Sequence, residues 1–475
     1  MKKISNQGVI SNVFWSGIDK FSVQFVQLLT TIIIARIISP AEFGLVAMIT
    51  VFLAVAQILV DSGFCTALIQ RQNCDNKDYS TVFYFNLFFS LIFYCILYLS
   101  APAIAQFYNE PELIKLTRFI GINIIISAFS YVQRTLLTIT MELKKQAKIS
   151  FISIIVGAIT GIVLAYKGYG VWALVMQTLI ANLLDSILLW SFTCWKPMLF
   201  FSLRSFKKLF PFGSKILLSS LIQTLYTNLY TLVIGRVYSA VNIGYFNRVQ
   251  TILNLLSINI MNIIDRPVYA HQCQNQSDKM KTKEIFDLYL RISSFIIFPI
   301  MMGVCVLAKP LIISLLTEKW LPAVPFLQVL SIAYLFTPVS VVNSNILKVM
   351  GDSGTFLKSG ILKRILGIII LFITMKSGLL ILCYGLVLYN LCDFMISLFF
   401  AKKVIQTSWK EQIMSLIPVF LLSCAMCICI YWGIHYITSY ILKLCCGIII
   451  GILVYFLLGA LFKFKEIKLI LSYIR

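Results

Sequence analysis

Apolar runs, each long enough to cross a lipid bilayer, fill the chain from Val13 to Phe462 and are separated only by short polar breaks. Crossing the hydrocarbon takes roughly 20 apolar residues in a helix, and windows of that length predict about fourteen transmembrane helices. They fall near 12–36, 44–70, 79–101, 114–140, 148–166, 171–194 and 211–235, then near 244–270, 286–308, 323–347, 359–375, 379–401, 413–434 and 441–462. The longest break, His271 to Glu284, is too short to fold alone. The pattern therefore predicts an all-α membrane protein without a soluble domain. Cys194 to Phe212 is amphipathic, carries Lys207, Lys208 and Pro211, and reads as a linker on the cytoplasmic face.

Comparing the chain on either side of that linker uncovers an internal repeat. Ala35-Arg36-Ile37-Ile38-Ser39-Pro40-Ala41-Glu42-Phe43-Gly44 aligns with Gly235-Arg236-Val237-Tyr238-Ser239-Ala240-Val241-Asn242-Ile243-Gly244. Further on, Pro102 and Glu110 fall on Pro310 and Glu318, Gly170 on Gly378, and Asn182-Leu183-Leu184-Asp185 on Asn390-Leu391-Cys392-Asp393. Six helices separate equivalent points, and an even number returns the chain to the same side of the membrane. The halves are therefore expected to be parallel copies related by an axis along the membrane normal. This gives an N-terminal six-helix bundle over 1–194, a linker over 195–210, a C-terminal six-helix bundle over 211–403, and two additional helices with a cytoplasmic tail over 404–475. A cleft between two such bundles is the expected substrate site.

Polar positions inside the spans locate that interior, because an ionisable group near the bilayer centre costs at least about 2.5 kcal/mol and turns towards protein or water. Helix one carries Lys20, Gln24, Gln27 and Thr31 on one face, and helix seven matches it with Ser220, Thr224, Thr227 and Thr231. Helix two offers Thr50, Gln57 and Asp61; helix four, Asn123, Ser127, Ser130 and Arg134; helix eight, Arg248, Asn259, Asn262 and Arg266; helix ten, Thr337, Ser340, Ser344 and Lys348. Single Ser, Thr and Asn positions read most simply as packing surfaces, since they hydrogen-bond between membrane helices without transporting anything. Lys20 and Arg134 lie some turns from the nearest helix end and are assigned to a functional cavity. Arg266 and Arg291 lie near cytoplasmic ends and Arg248 near the outer one, where a long side chain can also snorkel to water.

Positive charge in excess of Asp61 favours an anionic ligand, and guanidinium groups suit phosphate through paired hydrogen bonds. A diphosphate fits that description. Asp61 is expected either to pair with one of these cations or to carry a coupling proton. Asp185 and Asp393, at one repeat position, suggest a shared structural hydrogen-bonding role.

Composition agrees with the spans: 60% of the 475 residues are hydrophobic and 12% charged, against about half and a quarter in soluble domains. A net charge of +22 would suggest nucleic acid in a soluble protein. Here it follows the positive-inside rule. Clusters such as Lys144, Lys145 and Lys148, then Lys196, Arg204, Lys207 and Lys208, then Lys348, Lys358, Lys363 and Arg364, fall on one side, and the opposite turns hold fewer. Both termini are then cytoplasmic. The stretch after Met1-Lys2-Lys3 contains Asp19 and Lys20 and lacks a cleavage site, so it reads as a retained helix rather than a signal peptide.

Thirteen cysteines without framework spacing argue against a disulfide scaffold, and Cys424-Ala425-Met426-Cys427 stands in an apolar helix without a histidine or charge. The only histidines, His271 and His435, lie at opposite faces and form no metal pair. No Gly-Lys dipeptide exists, which excludes a Walker A nucleotide loop. No cofactor or metal is expected. The glycine pairs Gly157/Gly161 and Gly447/Gly451 match a close helix-packing motif. The extramembrane segments are too small for a glycosyltransferase or polymerase, so the chain reads as a transporter and not an enzyme.

Ala35 to Gly44, together with Ala101-Pro102-Ala103-Ile104-Ala105-Gln106-Phe107-Tyr108-Asn109-Glu110-Pro111, then Gln133-Arg134-Thr135-Leu136-Leu137 and Met141-Glu142-Leu143-Lys144-Lys145, resembles bacterial Wzx-type polysaccharide exporters. The resemblance covers helices one to twelve. It implies the multidrug/oligosaccharidyl-lipid/polysaccharide exporter fold, MATE-like, with two six-helix bundles around an alternately opening cleft. The implied substrate is an undecaprenyl-diphosphate-linked oligosaccharide, flipped from the cytoplasmic to the periplasmic leaflet for O-antigen, capsule or exopolysaccharide assembly. The substrate-binding set is then Lys20, Gln24, Gln27, Arg134, Arg248, Arg266 and Arg291. The implied partners are the lipid-linked oligosaccharide, membrane lipids and polysaccharide polymerase or export machinery, in a bacterial inner membrane. A MATE-type cation-coupled multidrug antiporter is the alternative on the same fold, but it calls for an acidic and aromatic cavity.

Overall fold

A computed structural model describes residues 6–61, 63–71, 74–405, 407–464 and 466, without the side chains of 6–21, 266, 279 and 353. Every regular element among the described residues is helical. The chain forms two compact units, Met1–Gly244 and Tyr245–Arg475. In the first lie α1 (Asn6–Ile37), α2 (Pro40–Asp61), α3 (Phe64–Gln70), α4 (Asn76–Tyr108), α5 (Leu113–Ile139), α6 (Leu143–Tyr166), α7 (Val171–Phe192) and α8 (Leu203–Val237). The division falls within α9 (Ala240–Leu256). The second holds α10 (Ile258–Gln274), α11 (Lys279–Val306), α12 (Ala308–Leu316), a 3₁₀ turn (Glu318–Ala323), α13 (Val324–Tyr334), α14 (Thr337–Val349), α15 (Ser353–Thr374), α16 (Leu379–Ile405), α17 (Trp409–Ile434) and α18 (Tyr440–Leu461).

Eleven stretches among the described residues are long and apolar enough to cross a membrane, and the part of α1 from Ser22 to Ile37 is a shorter apolar helix. The expected count of about fourteen needs α1, the α9 and α10 stretch, and α15 as well. The last two of these fall short for local reasons. α9 and α10 are 17 residues each and separated at Ser257, and α15 carries Lys358, Lys363 and Arg364. The second span of the first half is broken too, where Gly63 takes a left-handed conformation (φ 68°) between α2 and α3.

Two boundaries differ from the expectation. α4 continues through Pro102 to Tyr108 instead of ending near 101, because a bilayer favours any segment that keeps its remaining backbone bonds inside the helix. It stops at Asn109, whose left-handed backbone (φ 57°) lets its N–H and that of Glu110 return to the last turn. α8 begins at Leu203, within the segment read as a linker, and runs through Pro211. The non-helical stretch before it is tied to the start of α4: Met198 N–H donates to Ser80 Oγ at 2.9 Å and Ser202 N–H to Thr81 Oγ1 at 3.1 Å. Below these bonds Phe64, Leu68, Phe83, Val132 and Leu209 form a buried cluster flanked by Trp190, Trp195 and Phe206.

Within the first unit α6 packs along α1 and α7, α5 along α4 and α7, and α2 against α4, α5 and α8. Glycines set the closest of these approaches. A Cβ on Gly157 would stand 2.6 Å from Ala181 Cβ and 2.8 Å from the Gln177 carbonyl oxygen, and one on Gly161 2.9 Å from Gln177 Cβ. This glycine pair is the α6 to α7 contact that its spacing suggested.

The repeated motifs themselves meet inside this unit. Pro40 opens α2 and Ala240 opens α9. A Cβ on Gly44 would lie 1.7 Å from the Ala240 carbonyl oxygen, and a Cβ on Gly244 would lie 2.0 Å from that of Pro40. Each glycine thus faces the first residue of the other motif's helix, a reciprocal contact that any side chain would prevent.

In the second unit α11 contacts α13, α14 and α17, α16 contacts α13, α14 and α15, and α18 packs on α12 and α17. Gly447 and Gly451 face Leu307 and Ile430.

Candidate functional site

The polar face of α5 meets α7, the helix carrying the repeated Asn182 and Asp185. Asn182 Nδ2 donates to Asn123 Oδ1 at 2.7 Å. Arg134 Nη2 donates to Asp185 Oδ2 at 2.6 Å. Between α1, α5, α6 and α7 this seam opens into a cavity of about 260 Å³ lined by Val23, Gln27, Arg134, Ser150, Ser153, Ile154, Ala181, Asn182 and Asp185. The two charges are unequally exposed: the Arg134 side chain is 38% accessible and that of Asp185 12%. A planar guanidinium that spends one N–H on a buried carboxylate keeps the rest of its fork for another acceptor.

Two of the expected residues, Gln27 and Arg134, therefore come together at one cavity. Gln24 stands on the same helix as Gln27 and is half-buried. The side chains of Lys20 and Arg266 lie outside the described residues. The carboxylate that Arg134 meets is Asp185. Asp61 ends α2 just before the break at Gly63, with Cys65 beside it.

The remaining arginines belong to other surroundings. Arg248 is buried, with its guanidinium 5.6 Å from the centre of the Trp320 ring. Arg291 forms a 2.6 Å ion pair with the buried Glu466, a partner in the tail that the sequence did not suggest because no periodicity links them.

A further ion pair, largely enclosed, lies in the second unit. Lys363, one of the charges read on the cytoplasmic side, is largely enclosed, with 12% of its side chain accessible: its Nζ lies 2.6 Å from Asp393 Oδ1, 2.7 Å from Ser397 Oγ and 3.3 Å from Ser344 Oγ. Ser340 donates to the same carboxylate. The helix-ten stripe thus turns towards Asp393 in the second unit, as the helix-four stripe turns towards Asp185 in the first. The hydrogen-bonding role read for the two aspartates is realised as ion pairing, with the cation supplied by a different helix of the repeat each time. Asp265, likewise unflagged, accepts from Tyr289 Oη at 2.8 Å and from Asn345.

Bilayer-length helices around a polar recess that holds the Arg134–Asp185 pair define a polytopic membrane protein with a transporter kind of fold. Its fold is shared with a solved structure titled lipid II flippase MurJ in an inward closed conformation, with a TM-score of 0.74, covering 94% of this chain and 98% of that one at 16% identity. A multidrug resistance MATE family transporter in an inward-facing conformation follows with a TM-score of 0.65, covering 81% and 94% at 17% identity.

In sequence, the chain belongs to the polysaccharide biosynthesis protein family, which it matches over residues 33–325. It is 27% identical over 445 residues to the teichuronic acid biosynthesis protein TuaB of Bacillus subtilis, covering 93% of this chain and 91% of that protein. It is 26% identical over 422 residues to the lipopolysaccharide biosynthesis protein WzxC of Escherichia coli, covering 87% and 85%. These relatives agree with the resemblance carried by residues 35–44 and 101–145.

Proposed function

We propose that this protein is a flippase that moves an undecaprenyl-diphosphate-linked oligosaccharide from the cytoplasmic to the periplasmic leaflet of a bacterial inner membrane, for O-antigen, capsule or exopolysaccharide assembly. It acts as a transporter and not as an enzyme. The observation that carries this reading is the Arg134 guanidinium, turned to a cavity lined by hydroxyl and amide groups within a chain of the polysaccharide biosynthesis family. A diphosphate is the part of such a lipid that hydrocarbon rejects most strongly. A fixed cation offsets that cost along the path, while the polyprenyl tail can stay in lipid. A cation antiporter would need a carboxylate whose charge is not already matched, whereas Asp185 is paired with Arg134.

Flipping is tested with the purified protein in vesicles loaded on one leaflet with the lipid-linked oligosaccharide, by the rate at which the glycan becomes accessible to an added lectin. A protein-dependent rise is expected. No rise, together with export of cationic dyes, would establish the antiporter instead. Both termini are placed in the cytoplasm, from the lysine and arginine asymmetry. Reporters fused at each end are expected to read cytoplasm, and a periplasmic C-terminus would refute the even number of spans.

A further inference from the structure

We propose that Asp185 is a built-in counter-anion which competes with the phosphate groups of the substrate for Arg134, and so sets both how tightly the anion is held and how readily it is released. This rests on the reading of Arg134 as a phosphate contact and adds a second residue to it.

The first support is the shape of the pair. One N–H of Arg134 reaches Asp185 at 2.6 Å, and the guanidinium is about three times as accessible as the carboxylate. Both groups line the cavity, and the cation is the more accessible of the two. An arriving anion therefore meets the guanidinium first, with Gln27, Ser150, Ser153 and Asn182 beside it to satisfy further oxygens. Without Asp185 the arginine would be an uncompensated charge inside the bundle whenever no ligand is bound. With Asp185 the recess is neutral at rest, and binding becomes an exchange of one oxyanion for another.

The second support is the equivalent place in the second unit, which shows what a purely structural pair looks like in this chain. Asp393 occupies the same repeat position, and its cation is closed off: the side chains of Lys363 and Asp393 are 12% and 11% accessible. The three partners of the Lys363 ammonium are Asp393, Ser344 and Ser397, which match its three donors. No donor is left for a ligand. Two carboxylates related by the repeat thus serve differently: one seals its cation, and the other leaves its cation open to a cavity.

An exchange has a specific signature. Neutralising Asp185 removes the competitor, so affinity for the anion should rise while release slows. Inorganic pyrophosphate is titrated calorimetrically into the full-length protein in detergent. Asp185→Asn is expected to bind it roughly tenfold more tightly than the unmodified protein, about 1.4 kcal/mol, and to flip lipid-linked oligosaccharide more slowly at saturating substrate. Asp393→Asn is expected to lower thermal stability and leave pyrophosphate affinity unchanged. Should Asp185→Asn fail to accumulate, Asp185→Ser, which keeps a short hydrogen-bonding group without charge, takes its place with the same expectation.

Unchanged or weaker pyrophosphate binding by the folded Asp185 variants, with Arg134→Ala still losing it, would overturn the proposal and leave Asp185 as a support for the arginine. If Arg134→Ala also binds as the unmodified protein does, the phosphate role of Arg134 falls as well. Absence of pyrophosphate binding in every form would overturn the proposal outright.

Discussion

Arg134→Ala is expected to lower the flipping rate of the lipid-linked oligosaccharide by roughly ten- to a hundred-fold, because losing one charge-assisted hydrogen bond to a desolvated phosphate costs about 1.5 to 3 kcal/mol. Arg134→Lys should keep part of the activity: the charge remains, but a point charge replaces a planar fork that can hold two oxygens at once. Folding has to be separated from binding here, since truncating Arg134 also leaves Asp185 without its cation. Breaking a fully buried pair by removing one partner costs about 3 to 5 kcal/mol, and the 38% accessibility of Arg134 places this case below that range. The double variant Arg134→Ala/Asp185→Ala removes both charges. Its thermal stability should recover relative to Arg134→Ala while its transport does not. Rates equal to the unmodified protein in well-expressed Arg134→Ala would mean that the diphosphate is held elsewhere.

The other large effect is expected at the crossing of the repeated motifs. Gly44→Ala would put a methyl group 1.7 Å from the Ala240 carbonyl oxygen, 2.5 Å from its carbon and 2.9 Å from Ile243 Cγ2. Two of these atoms are backbone, so no side-chain rotation can relieve the clash and α2 must move away from the first turn of α9. Overpacking costs typically about 1 to 3 kcal/mol, and a contact this short belongs at the upper end. Gly244→Ala meets the Pro40 carbonyl oxygen at 2.0 Å in the same way. Because one displacement relieves both clashes, the double variant should cost clearly less than the sum of the single ones. Melting temperatures in detergent read this directly, and additive losses or an unchanged melting temperature for Gly44→Ala would contradict the close approach.

Helices, membrane class and family were legible in the sequence because each rests on local information. A span is recognised by the length of an apolar run, a polar face by its angular period, and the repeat by the order of short motifs such as residues 35–44 and 235–244. These signals put Gln27 and Arg134 on inward faces. They also marked Asp185 and Asp393 as equivalent, although as hydrogen-bonding groups and not as the anions of ion pairs.

What the tertiary structure decided is which groups meet. Arg134 and Asp185 are 51 residues apart, and whether they touch depends on the rotation of two helices about their own axes. Asp61, on an expected inward face, instead ends α2 at the helix break before Gly63. The positive-inside asymmetry groups Lys363 with the cytoplasmic charges; only the arrangement of α14, α15 and α16 surrounds it with Asp393, Ser344 and Ser397. Hydrophobic period determines which face of a helix is inward, but the partner found there is set by packing between segments far apart in the chain. For that reason the elements of this protein could be read one by one, while its charge pairs could not.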